Sequence, residues 1–142
     1  MSQYATGVTI VTINRNEKYI GKTVNSFAAL SLDPPLVLFS LDKKSSSLND
    51  FKKSNYLGIN ILSKKQQNLS HYYSMKNPIW DKTPYTLSKN NTPLIKNCVS
   101  NIDCKIMELI TQGDHVIFIC KIDEVSIDKK EKPLIYLGSK YI

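Results

Sequence analysis

Within the segment Thr23-Val24-Asn25-Ser26, two hydroxyls and an amide stand together at the end of an extended run. Such groups hydrogen-bond a polar planar ligand, or satisfy backbone groups at a strand end. A second group is Ser40-Leu41-Asp42-Lys43-Lys44-Ser45-Ser46-Ser47, where a strand runs into a hydroxyl-rich turn ahead of a helix. A phosphate there would meet helix N–H groups, a favourable dipole, serine hydroxyls and two lysine charges. The same residues also read as serine capping flanked by solvated lysines. Third is Gly113-Asp114-His115, a turn that delivers a histidine to the first residue of a strand. An imidazole that titrates near neutrality can donate to a ligand or face an anionic cofactor. Tyr141, in the tail, would stack on a flat ligand or anchor the terminus. On residue types alone these groups describe a binder of a phosphorylated, planar molecule.

The elements that must position them are mostly strands. Val8 to Ile13 reads V-T-I-V-T-I, a β-branched run, and with Lys18 to Ser26 it predicts a hairpin. Leu36 to Leu41 follows the breaker Asp33-Pro34-Pro35 and is apolar on both faces, as a buried strand would be. Ser47 and Asp50 have capping-box spacing before a short helix over 48–53, and a second helix is expected from Lys64 to Tyr73. Tyr56 to Leu62, Val99 to Ile110, His115 to Val125 and Pro133 to Leu137 read as strands. Met75 to Asn97, with Pro78, Pro84, Pro93 and Asn90-Asn91, shows no period and is expected to be irregular. Six or seven strands without alternating long helices disfavour a doubly wound sheet. They favour a mainly β, Greek-key barrel with two short peripheral helices.

Composition narrows the classes further. At 142 residues with 42% hydrophobic and 22% charged content, the chain fits one folded domain over 1–142. No secretory leader or bilayer-length apolar run is apparent, so a cytoplasmic protein without membrane association is expected. The excess of 19 basic over 12 acidic residues favours anionic partners. There is one arginine, Arg15, so the arginine stripe of a nucleic-acid groove reader is missing and no nucleic-acid partner is expected. Three cysteines without a C-x-x-C pair and two histidines predict no metal site. The hydrolase and P-loop signatures are also missing.

Taken in order, Ala5-Thr6-Gly7-Val8-Thr9-Ile10-Val11-Thr12, Gly21-Lys22-Thr23-Val24-Asn25-Ser26-Phe27, Ser31-Leu32-Asp33-Pro34-Pro35-Leu36-Val37 and the Ser40–Ser47 turn resemble the flavin reductase-like family. Asn60-Ile61-Leu62, Gly113-Asp114-His115 and Pro133-Leu134-Ile135-Tyr136 continue the likeness almost end to end. These proteins are FMN-binding split barrels that supply reduced flavin to two-component monooxygenases. The resemblance implies a homodimer with FMN or FAD at the subunit interface and NADH or NADPH as hydride donor. It implies that Thr23, Asn25 and Ser26 contact the isoalloxazine and ribityl chain. Ser40, Leu41 and Asp42 would line the ring through backbone groups, and Lys44, Ser45 and Ser46 would take the phosphate. His115 would be the catalytic-site residue on the nicotinamide side, and Tyr141 would close the pocket.

The implied activity is NAD(P)H:flavin oxidoreduction, in which the flavin carries the redox work and the protein stacks donor on acceptor. Family members usually carry a helical segment before the Ala-Thr-Gly-Val run, where here Met1 to Tyr4 stand. Leu137-Gly138-Ser139-Lys140-Tyr141 replaces a commonly more basic or histidine-bearing run. The alternative reading is therefore a flavin-binding protein without reductase activity.

Overall fold

The computed structural model describes residues 1–142. A two-residue lead-in, β1 (Thr6–Gly7), precedes the hairpin β2 (Thr9–Arg15) and β3 (Lys18–Val24). Asn16 and Glu17 join them, both at positive φ (53° and 70°), the turn geometry whose twist matches that of paired strands. Two strands, β4 (Ala28–Ser31) and β5 (Leu36–Asp42), lead to the helix α1 (Leu48–Lys52). Then come β6 (Tyr56–Ile61), a 3-10 turn at Lys64–Gln66 and the helix α2 (Gln67–Ser74). A small hairpin, β7 (Tyr85–Leu87) and β8 (Pro93–Ile95), is followed by the long strands β9 (Ser100–Gln112) and β10 (His115–Ile127), and by β11 (Ile135–Leu137) and β12 (Lys140–Tyr141).

Seven strands form one antiparallel sheet in the order β3-β2-β6-β9-β10-β5-β4. Chain neighbours are thus interleaved with distant segments, as in a Greek-key barrel. Register shifts between Ile119 and Cys120 and between Ile122 and Glu124 let β10 bend along the barrel wall. The β-branched run of β2 is buried on both faces, and its period of two divides it between two cores. Val11 and Ile13 point into the barrel with Phe39, Phe118, Phe51 and Leu57. Val8 and Ile10 face the other way, under α2, with Leu62, Tyr73, Ile95 and Leu134. Phe39 and Phe118 stack at the barrel centre, 4.9 Å apart and 4° from parallel.

Three local expectations are corrected. The 75–97 stretch contains β7 and β8, held by groups that periodicity does not register. Buried Asn60 donates to Ile10 O (2.8 Å) and accepts from Ile95 N and Asn101 Nδ2, and Thr12 Oγ1 donates to Pro93 O (2.6 Å). The hairpin crosses β6 at Gly58, where a Cβ would lie 2.6 Å from Thr12 Oγ1 and 2.9 Å from Leu94. Ser47 makes no side-chain cap on α1; its hydroxyl lies 3.3 Å from that of Ser45. The second helix opens as a 3-10 turn, with Gln66 Oε1 reaching back to accept from Ser63 N at 2.9 Å.

Candidate active site

Two ends of the sheet meet just after β3. Ser26 Oγ donates to Ser40 O at 3.0 Å and accepts from Ser40 N at 2.9 Å, tying the turn after β3 to β5. Across β5 the register sets His115, first residue of β10, opposite Asp42, last residue of β5. Three segments far apart in the chain therefore share one rim. A cavity of about 390 Å³ opens there, within the range of small-molecule sites. Thr23, Asn25 and Ser26 line one side, Ser40, Leu41 and Asp42 the floor, and Lys44, Ser45 and His115 the other side. Leu41 turns its buried side chain into the barrel core, so what it offers the cavity is backbone.

The polar groups are not equally free. Thr23 Oγ1 donates to Ser70 O at 2.7 Å, fixing β3 to α2, and the Ser26 hydroxyl is spent on Ser40. The exposed Asn25 amide has no protein partner, so both its donor and acceptor sides are available. Asp42 organises the following turn: its Oδ1 accepts from Lys44 N at 2.8 Å and its carbonyl from Ser45 N at 3.0 Å. Lys43 N donates to Asp114 O at 2.9 Å, and the amides of Ser46 and Ser47 have no acceptor in the chain. The Lys44 ammonium forms no ion pair.

His115 Nδ1 lies 2.8 Å from Asp114 Oδ1, and the hydrogen bond and charge of the imidazole hold that carboxyl below its usual range. A carboxylate partner assigns the proton to Nδ1 and leaves Nε2 for a ligand. Lys22, one residue before Thr23, also lines the cavity, and desolvation pushes its ammonium pKa down. A partly buried cation there is a latent anion partner, since a bound negative charge would restore its preferred state.

Two expected residues stand apart from this rim. Ser46 lines a neighbouring, larger cavity on the far side of the same turn. Tyr141 belongs to an adjoining cleft that shares Thr23, Val24 and Asn25, its hydroxyl 2.7 Å from Ser70 Oγ and its ring against Tyr136. Ser70 thus braces both Thr23 and Tyr141, a role sequence reading missed because its partners lie 47 and 71 residues away. Lys22 was missed too, although its place on the strand beside Thr23 was a usable signal. No group of three or more His, Cys, Asp or Glu side chains is arranged to hold a metal ion, and no helix is long and apolar enough to cross a membrane.

The flavin reductase like domain matches residues 1–142. The chain belongs to that family. Among its flavin reductase relatives, the flavin-dependent monooxygenase reductase subunit HsaB of Rhodococcus jostii (strain RHA1) is 32% identical over 144 residues, covering 99% of this chain and 73% of that protein. The FMN reductase (NADH) SmoA of Agrobacterium fabrum is 32% identical over 141 residues, covering 99% and 80%. The solved structure of the Streptomyces globisporus C-1027 NADH:FAD oxidoreductase SgcE6 superposes with a TM-score of 0.94 at 26% identity, over 99% of this chain and 86% of that one. The split barrel with two short helices is the flavin reductase fold.

Proposed function

We propose that this chain is an NAD(P)H-dependent flavin reductase that binds FMN or FAD in the cavity between Asn25 and His115 and passes reduced flavin to a partner monooxygenase. The observation that carries this reading is the convergence of an unpartnered amide (Asn25), an unpaired ammonium (Lys44) and a desolvated one (Lys22) on one cavity rim. Family membership over the whole chain supports it.

Bound flavin supplies the hydride acceptor, N5, for the nicotinamide C4 hydride of NADH or NADPH, and no protein nucleophile is required. The protein's part is placement. Asn25 holds the planar ring by its amide, and the backbone of Ser40, Leu41 and Asp42 forms the bed beneath it. Thr23 and Ser26, held by their own hydrogen bonds, fix the wall and offer remaining lone pairs to the ribityl hydroxyls. Lys44, Ser45 and Ser46 take the phosphate, helped by Lys22 and by the free amides of Ser46 and Ser47. His115, oriented by Asp114, presents Nε2 to the incoming nicotinamide. Tyr141 closes the adjoining cleft.

We place the working unit as a homodimer. The outward row Leu38, Ile117, Ile119 and Ile110 is apolar and only half-covered in the single chain, and it abuts Ser40 on the cavity floor. Burying such a face against a second copy would shelter it and wall the flavin site. The cytoplasm is the fitting compartment, since all three cysteines are free thiols.

The test is NAD(P)H oxidation followed by absorbance, with and without added FMN or FAD. Turnover that requires flavin supports the reading; flavin binding without nucleotide oxidation would instead make the chain a flavin carrier. Sedimentation or light scattering reads the dimer.

A further inference from the structure

At the end of β10 farthest from His115 the sheet has a bare edge. Strand β5 pairs with β10 only as far as Leu36 opposite Lys121, with one further bond from Ile122 N to Pro35 O at 3.0 Å, and no strand continues the sheet along residues 123–127. On its other side this stretch pairs with β9, Val125 opposite Ile102, Ser126 opposite Asn101 and Ile127 opposite Ser100. Asp128 N donates to Val99 O at 2.9 Å in that same register, and successive residues of a strand direct their backbone groups to opposite sides. Ser126 therefore faces β9, where its carbonyl also accepts from Ser100 Oγ at 2.9 Å, while the N–H and C=O of Val125 and Ile127 point away from β9 along the bare edge. Both are exposed aliphatics, Val125 at 50% and Ile127 at 66%. An aliphatic, unpaired strand edge is a template for a second strand.

The surroundings of this edge select the charge of whatever adds to it. Ile127, Ser100 and Ile61 stand side by side on β10, β9 and β6, and the segments that leave this end of the sheet carry Lys129, Lys130 and Lys132 after β10 and Lys64 and Lys65 after β6. Lys64 N donates to Lys132 O at 2.7 Å and Ser63 bridges to Pro133, so the two segments are fastened together. All five lysines are exposed, and of these only Lys65 has an ion pair, with Glu131 at 3.2 Å. Asp128, the other acid of the turn, spends Oδ1 on Lys130 N at 2.9 Å. Asp123 and Glu124 meet the β7–β8 hairpin instead: Asp123 accepts from Asn90 Nδ2 at 2.9 Å, and Glu124 lies 4.0 Å from Lys89. Four ammonium groups without a counter-charge thus border the aliphatic edge.

We propose that this edge docks an acidic, extended segment of a partner protein, which adds as a strand beside Val125 and Ile127. Its backbone pairs with their free N–H and C=O groups, its apolar side chains cover the two aliphatics, and its carboxylates reach Lys64, Lys129, Lys130 and Lys132. A second copy of this chain is the wrong occupant, since pairing two of these edges would bring a second lysine cluster beside the first. At roughly 3.3 Å per residue, β10 runs about 40 Å from His115 to Ile127, so a segment docked here leaves the flavin cavity open.

The probe is a short synthetic peptide of alternating glutamate and valine, with its lysine–valine counterpart as control, each followed by the anisotropy of a fluorescent label. Saturable binding of the acidic peptide alone is expected, weakened at least about tenfold as salt is raised to roughly 0.5 M. Amide exchange read by NMR should slow at Val125 and Ile127 when the peptide binds and stay unchanged at Ser126, whose backbone already faces β9. Val125→Pro removes an N–H that the barrel does not use, and Lys129→Glu combined with Lys130→Glu reverses the local charge; each should weaken the peptide about tenfold while the circular-dichroism spectrum stays that of wild type. Absence of binding, equal binding of the two peptides, or affinity untouched by both variants overturns the proposal. Phosphatidylglycerol vesicles or a single-stranded oligonucleotide binding where the acidic peptide does not would make this corner a general polyanion surface, and would likewise overturn strand docking.

Discussion

The Ser26 hydroxyl bonds both backbone polar atoms of one residue, donating to Ser40 O and accepting from Ser40 N, and so joins the turn after β3 to the fifth strand of the barrel. This junction makes the cavity. Ser26→Ala would strand the Ser40 N–H and C=O at a half-buried seam, at a cost of about 1–3 kcal/mol. Chemical denaturation should record that loss, and flavin affinity should drop with it. Ser26→Thr, which keeps the hydroxyl, should recover most of both.

Asn25 has no partner within the protein, so its removal should be invisible to stability and visible to ligand. For Asn25→Ala the denaturation midpoint is expected to stay within about 0.5 kcal/mol of wild type, as for surface changes generally. Flavin binding should weaken on the order of tenfold, the equivalent of one hydrogen bond to a desolvated group.

Ser45→Glu places a carboxylate beside Lys44, where the phosphate is expected. FMN affinity should fall at least as steeply as in Asn25→Ala, whereas riboflavin, which has no phosphate, should bind as to wild type. An equal loss for both ligands would mean that the turn does not receive the phosphate.

Lys22 carries a pH signature whose sign follows from its lowered pKa. The folded protein holds this proton less firmly than the unfolded chain, whose lysine titrates near about 10.4. Below the folded pKa the buried charge costs stability, and the cost is relieved as pH rises through the window up to that unfolded value. Lys22→Met should therefore melt higher than wild type at pH 7, with the difference shrinking toward pH 10, as thermal scans across pH would show. The same substitution should weaken FMN, because the cation is then lost to the phosphate.

The three cysteines act in the opposite sense. Burial pushes the thiols of Cys98 and Cys120 up to about 12 and that of Cys104 up as well. Each holds its proton more firmly when folded, so stability should decline as pH rises above the free thiol value of about 8.5. Alkylation by iodoacetamide at pH 8 should be slow and should follow the unfolding rate. Phe118→Ala, which removes half of the central ring stack at about 3–5 kcal/mol, should accelerate it strongly.

Much of the barrel is legible along the chain because strand character is local. The V-T-I-V-T-I run, the apolar Leu36–Leu41 stretch and the strand that starts at His115 announce themselves through side-chain branching and a period of two. The Pro- and Asn-rich stretch hides its hairpin because β7 and β8 are three residues each, too short for a period, and are fastened by Asn60 and Thr12 from other strands. Capping was misread at Ser47 because spacing permits a cap without compelling one, and Ser45 offered a competing contact.

For the site, residue types in the chain were enough to nominate Asn25, the Lys44–Ser46 turn and His115, since amides, hydroxyls and cations near turns are local features. Which of them meet was settled by strand register, a property of long-range pairing that no short window contains. The β5–β10 alignment sets His115 against Asp42, the barrel seam brings Ser26 to Ser40, and the turn between divides Ser45 from Ser46 into separate cavities. Hydroxyls that looked equivalent in the sequence were sorted into spent and available by neighbours dozens of residues away, because a hydrogen bond answers to distance in space and not along the chain.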